Sequence, residues 1–132
     1  MAPRVLDASA FVELVLRSEA GHEVEQRLRG STVAVPAHFD AEVLSALGRL
    51  ARGGEIEEER VELGLAQVAR APFYRYAVAP LLQGAWALRH NLSLRDALYV
   101  VLTRKLGATL LTADGRLARA PNLEIPRIVA GS

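Results

Sequence analysis

The chain contains no cysteine, which excludes disulfides, thiolate zinc sites and a cysteine nucleophile. Histidine is scarce: His22, His38 and His90 stand far apart, without H-x-x-x-H or H-E-x-x-H spacing, so no histidine metal motif is present. Neither sign of charge dominates, since 16 Lys and Arg against 15 Asp and Glu leave +1. That excludes a polybasic tail, although a basic groove offset by acid elsewhere is compatible with it. Lysine occurs once, at Lys105, against 15 arginines. Arginine suits bidentate phosphate recognition, and a GC-rich coding bias is the blander reading. No apolar run approaches the ~18 residues of a membrane span. The apolar opening over residues 5–16 is broken by Asp7 and Glu13. With no targeting signal in view, a soluble, cytoplasmic protein without membrane contact is expected.

What is present is enough for a core. The chain has 132 residues, 51% of them hydrophobic, and shows no repeat, linker or low-complexity stretch. One domain over residues 1–132 is expected, burying roughly two-thirds of the surface its unfolded chain exposes. Short apolar runs read as strands at residues 4–6, 32–35 and 109–112, with weaker candidates at 73–78 and 123–129. Helical periodicity reads at residues 10–17, 22–29, 37–52, 55–70 and 80–90. A further helix runs from a Ser93 cap to Leu106 and is closed by Gly107. In the fourth of these, Ile56, Leu63 and Val68 are expected to face inward, with Glu57, Glu58 and Glu59 solvated near its start. Gly21 reads as a helix break, and Asp114-Gly115 as a turn. Strands alternating with helices imply right-handed crossovers. The expected fold is α/β, three layers deep, around a mostly parallel sheet.

Apolar strands in such a sheet deliver their carboxyl ends to one edge, where ligands usually bind. Asp7 follows the first strand, Asp114 follows the 109–112 strand, Asp96 lies in the first turn after Ser93, and Glu42 lies in the helix after Pro36. Two carboxylates about 4 Å apart repel by roughly 4 kcal/mol at an effective dielectric near 20. Crowded carboxylates therefore either hold protons or gather around a cation. All-oxygen donors select Mg²⁺ or Mn²⁺ over zinc. Each acid also has a purely structural reading. Asp7 can cap a helix, Ser93-Leu94-Arg95-Asp96 is an S-x-x-D capping signature, and Asp114-Gly115 is a turn dipeptide. Asp40 and Glu42 are two residues apart, so they cannot share a helix face, and periodicity does not choose between them.

The ordered stretches Val5-Leu6-Asp7-Ala8-Ser9-Ala10, Val35-Pro36 leading to Asp40-Ala41-Glu42-Val43-Leu44, Leu92-Ser93-Leu94-Arg95-Asp96-Ala97-Leu98-Tyr99, and Ala108-Thr109-Leu110-Leu111-Thr112-Ala113-Asp114 resemble PIN-domain proteins. The likeness is specifically to the VapC branch of bacterial toxin–antitoxin ribonucleases, and it spans essentially the whole chain. The resemblance implies that Asp7, Glu42, Asp96 and Asp114 form a catalytic, metal-binding quartet for Mg²⁺, with Mn²⁺ as a substitute. It also selects Glu42 over Asp40. Ser9 and Thr112 match hydroxyl residues that steady a carboxylate or a water. After Asp114 the chain departs from some relatives, having Gly115-Arg116 where they carry a further acid. Whether one or two metals bind is thus left open. The implied activity is hydrolysis of RNA phosphodiesters to 5′-phosphate and 3′-hydroxyl ends, inhibiting translation and growth. Arg95, Arg116 and Arg119 are candidate RNA contacts, and solvated surface is their bland reading. The implied partners are RNA, a second copy in a homodimer, and a VapB-type antitoxin packing against the early helices in a heterotetramer or larger assembly. The helix over residues 10–16 also carries more apolar surface than one sheet face can cover, which points the same way. Two other classes compete: a catalytically silent module of the same fold, against which the intact quartet argues, and a phosphatase with an acidic Mg²⁺ pocket. The second needs D-x-D at the first strand, where this chain has Asp7-Ala8-Ser9.

Overall fold

Apolar runs of three or four residues form strands when helices cover both of their faces. The computed structural model describes residues 3–131. Its strands are β1 (Arg4–Leu6), β2 (Val33–Pro36), β3 (Tyr74–Tyr76), β4 (Thr109–Thr112) and β5 (Arg127–Val129). They make one sheet in the order β3-β2-β1-β4-β5, with every pairing parallel. The inner strands β1, β2 and β4 are almost wholly buried, whereas the edge strand β3 exposes Tyr74, Arg75 and Tyr76.

The helices are α1 (Ala8–Leu16), α2 (Glu19–Leu28), α3 (Phe39–Arg52), α4 (Glu58–Arg70), α5 (Leu82–Ala87), α6 (Leu94–Leu106) and α7 (Gly115–Arg119). The chain steps outward from β1 to β2 and β3, then crosses back to β4 and β5 on the other side of β1. Right-handed crossovers put α1 to α4 on one face and α5 to α7 on the other. The packing agrees, since α1 lies against α2, α3 and α4, and α6 lies against β1, β2 and β4. This is the α/β, three-layer architecture expected from the strand and helix alternation. Its chain direction reverses between β1 and β4, and a crevice opens outside the carboxyl ends of strands at such a switch point. Asp7 leaves β1 and Asp114 follows β4 at that place.

Three phenylalanines lock the first layer to the sheet. Phe11 on α1, Phe39 on α3 and Phe73 before β3 meet edge to face, with centroids 5.9–6.2 Å apart. Arg75 on β3 clasps Asp40 on α3 through bonds of 2.7 and 3.0 Å, and also donates to the Val68 carbonyl at the end of α4. Gly107 closes α6 in the left-handed region, at φ +59°.

The structure differs from the sequence-based expectations in five places. The break between α1 and α2 falls at Arg17 and Ser18, and Gly21 lies inside α2. A Cβ there would stand 2.1 Å from the Glu13 carbonyl oxygen, so glycine serves a close helix approach and not a stop. Leu63 faces outward, 62% exposed, because the inward stripe of α4 runs through Gly64 and Val68. The helix expected over residues 80–90 is a single 3-10 turn, Ala79–Leu81, followed by the six residues of α5. Asp114-Gly115 begins the short helix α7 instead of making an isolated turn. Finally, the apolar surface of α1 is covered within the chain by α2, α3 and α4, so it gives no separate argument for a second copy.

Candidate active site

Asp7 follows β1 directly and its backbone N–H donates to the Leu111 carbonyl of β4, which fixes it between the two central strands. Its carboxylate caps α1 by accepting from the Ala10 N–H at 3.1 Å. It also accepts from the Ser9 hydroxyl at 2.7 Å and the Thr112 hydroxyl at 2.6 Å. Those hydroxyls accept in turn from the N–H groups of Ala113 and Asp114, so they join Asp7 to the loop leaving β4. Asp7 is 3% exposed. Burial pushes its carboxyl up to about 6; the three donors pull it down and the neighbouring Asp96 adds a smaller upward push.

The other three acids arrive from three helices. Asp96 lies in the first turn of α6, where its N–H donates to the capping Ser93 hydroxyl at 3.2 Å. Burial raises its carboxyl above the usual range, and the charges of Asp114 and Glu42 push the same way. Asp114 caps α7 by accepting from the Arg116 N–H at 2.9 Å. Glu42 projects from the first turn of α3. It accepts from the Tyr99 hydroxyl at 2.6 Å, with His38 Nε2 at 3.4 Å and Arg95 Nη1 at 3.7 Å. The structural reading of Asp7 as a cap is therefore geometrically correct, Asp114 caps a helix where a turn was expected, and these same caps bring carboxylates to one place.

That place is a cavity of about 180 Å³ lined by Asp7, Glu42, Asp96 and Asp114 together with Arg49, Arg95 and Tyr99. Asp40 is elsewhere, paired with Arg75, and of the two acids Glu42 is the one that lines the cavity. Ser9 lines the cavity too, while Thr112 stands behind Asp7. A second cavity of about 560 Å³ adjoins the first, sharing Arg49, Arg95, Asp96 and Asp114 and adding Arg116. Arg119 lines neither; its guanidinium lies against Gly115.

Chemically, the donor set is all oxygen, which fits a hard divalent cation and not zinc or copper. Among the described residues, however, no three His, Asp or Glu side chains stand together in ligating geometry. One oxygen each of Glu42 and Asp114 is already engaged by Tyr99 and by the start of α7. Two cavity residues carried a sequence signal that motif reading passed over. Arg49 follows Glu42 by seven residues, on the helix face that also holds Ser45 and Ala46. Tyr99 follows Asp96 by three residues and reads as core, which it also is, at 1% exposed.

Comparison with known proteins identifies the family of the chain. The family model for the PIN domain matches residues 4–123. The chain is 48% identical to Ribonuclease VapC3 of Mycobacterium tuberculosis over 117 residues, covering 88% of this chain and 85% of the relative. Among solved structures, it is similar to Mycobacterium tuberculosis VapC20, a sarcin–ricin loop cleaving toxin, with a TM-score of 0.65, 23% identity and coverage of 87% and 92%. It is also similar to a chain of VapBC2 from Rickettsia felis, solved bound to a DNA fragment from their promoter, with a TM-score of 0.65, 16% identity and coverage of 96% and 98%. Those two likenesses are of fold. The family match over nearly the whole chain, and the close identity to a VapC protein, go further: the chain belongs to the PIN-domain family, within its VapC ribonuclease branch.

Proposed function

We propose that this chain is a single PIN domain over residues 1–132 acting as a Mg²⁺- or Mn²⁺-dependent endoribonuclease toxin, held in check by a VapB-type antitoxin. The observation that carries the reading is the convergence of Asp7, Glu42, Asp96 and Asp114 on one cavity at the switch point of the sheet. In this reading the four carboxylates hold the cation. A divalent ion there supplies Lewis acidity, activating water and offsetting charge on a phosphate under attack. Ser9 and Thr112 keep the Asp7 carboxylate oriented through their 2.7 and 2.6 Å bonds. Arg95, which lines both cavities, and Arg116, which lines the larger one, grip phosphates on either side of the cleaved bond. Arg119 contributes from α7 at a greater remove. The substrate is RNA, and its cleavage stops translation and growth in the cytoplasm.

The antitoxin reading rests on an apolar groove of about 510 Å³ whose lining includes Val12, Leu16 and Leu50. It shares Ser9, Ala46 and Arg49 with the acidic cavity. An amphipathic antitoxin segment seated there lies against α1 and α3 and blocks access to the carboxylates. Two toxin copies, each with its antitoxin, make the heterotetramer or a larger assembly.

The residue that separates this reading from a purely structural one is Asp96. As a helix-start residue alone, its loss costs about 0.5–2 kcal/mol and leaves the folded protein active. As a ligand among Glu42 and Asp114, its replacement by Asn removes a repelled, half-buried charge while keeping the backbone bond to Ser93. Asp96→Asn is expected to melt at or above the parent temperature without metal. It should also lose Mn²⁺-dependent stabilisation and cease to cleave RNA. Near-normal cleavage with a normal metal response shows that Asp96 only starts a helix, and removes it from the quartet.

A further inference from the structure

Glu42 has the longest side chain of the four acids, and neither a helix cap nor a strand end fixes its carboxylate. It comes from the first turn of α3, with several rotatable bonds between backbone and carboxylate, and a ligand on such a stem needs a partner to hold it. Tyr99 supplies one. It stands three residues after Asp96 on α6, so one helix face carries both into the cavity. Its ring is fully buried and packs 5.0 Å from His38. Its hydroxyl donates to Glu42 Oε1 at 2.6 Å, close to the short limit for such a bond. The N–H of Ala8, the residue after Asp7, faces the same hydroxyl. The phenol is therefore wedged between the corner that carries Asp7 and the helix that carries Glu42, and it joins the two helix layers at the edge of the sheet.

We propose that Tyr99 is a positioning residue for the cation site: by occupying Oε1 of Glu42, its hydroxyl orients the carboxylate so that Oε2, which has Arg95 Nη1 at 3.7 Å, is the oxygen offered to the divalent ion. The inference rests on the proposed role of Glu42 as a ligand. It predicts that Glu42 acts through one oxygen and that the phenol tunes metal affinity without touching metal or RNA. A merely structural phenol, tying α6 to α3, makes a different prediction: its loss lowers the melting temperature and leaves metal affinity alone.

The test is a double-mutant cycle on the full-length, metal-stripped chain, titrated calorimetrically with Mn²⁺ alone. Tyr99→Phe removes a single oxygen and keeps the packed ring. It is expected to weaken Mn²⁺ binding about 10–100-fold, the usual effect of losing such a supporting bond. Glu42→Gln should weaken binding at least as much, and the double variant no more than Glu42→Gln alone. High Mn²⁺ should restore RNA cleavage to Tyr99→Phe but not to Glu42→Gln. Glu42→Asp, which keeps the charge but shortens its reach to the hydroxyl, repeats the test without altering the core and should lose affinity similarly. Parent-like affinity in Tyr99→Phe or Glu42→Asp beside a weakened Glu42→Gln overturns the positioning role alone. A Tyr99→Phe loss that adds in full to that of Glu42→Gln overturns it as well. Parent-like affinity in Glu42→Gln overturns the ligand role of Glu42, and this inference with it.

Discussion

A carboxyl group as buried as Asp7 holds its proton more tightly in the folded chain than in the unfolded one. Its value moves from 3.8 to about 6, with burial the main cause and the hydroxyls of Thr112 and Ser9 opposing it. Between those values the folded state binds a proton that the unfolded state has released. The resulting stabilisation is complete below about pH 4 and disappears as pH rises through about 6. The shift corresponds to something on the order of 3 kcal/mol for this one group. Asp96, raised in the same direction, adds to the trend. In EDTA, thermal melts of the parent should therefore fall relative to those of Asp7→Asn as pH goes from 4 to 7, with the variant the more stable at neutral pH. Parallel melting curves across that window would show that Asp7 is not the strained charge described here. The cost of burying it is consistent with a site selected for a cation and not for stability alone.

At the scale of elements, the acids are gathered by helix starts. α1 and α7 begin on Asp7 and Asp114, and α6 begins three residues before Asp96, so three N-termini face one crevice. This arrangement depends on α1 keeping its place, and α2 holds it there by approaching at Gly21. A methyl group at that position meets the backbone of Glu13 and Leu14, which cannot give way as a flexible side chain would. Gly21→Ala is expected to destabilise the fold by about 1–3 kcal/mol, as overpacking does. A melting temperature equal to that of the parent would show that the two helices can part without cost. Much of this layer was readable from residues alone. The strand Thr109–Thr112 and the helix between Ser93 and Gly107 lie where their apolar run, cap and closing glycine put them. Asp7, Asp96 and Asp114 were readable as boundary residues beside apolar runs, whereas only the family resemblance separated Glu42 from Asp40. Other features left weak or misleading signals. Gly64 lies on the buried stripe of α4 but carries no apolar side chain, so Leu63 stood in for it. The five residues of α7 are too few for periodicity, and Asp-Gly reads as a turn. Tyr99 reads as core because it is core; only its hydroxyl, reaching across to α3, carries a second role.

At the scale of the whole molecule, Leu82 and Trp86 stand one turn apart on α5, 55% and 58% exposed. Exposed apolar residues of this kind suit a two-fold pairing of copies. Light scattering at tens of micromolar should return twice the chain mass, and a monodisperse monomer would count against the homodimer. The proposed chemistry is that the four carboxylates at the switch point hold a divalent ion for the hydrolysis of RNA. The most direct measurement is the mapping of product ends after the purified chain acts on total bacterial RNA in Mg²⁺, in Mn²⁺ and in excess EDTA. The account predicts 5′-phosphate and 3′-hydroxyl ends with either ion and no cleavage with the chelator. Ends bearing 2′,3′-cyclic phosphate, or full cleavage in EDTA, would contradict it, because the attacking oxygen would then be the RNA's own hydroxyl and the carboxylates would need another purpose.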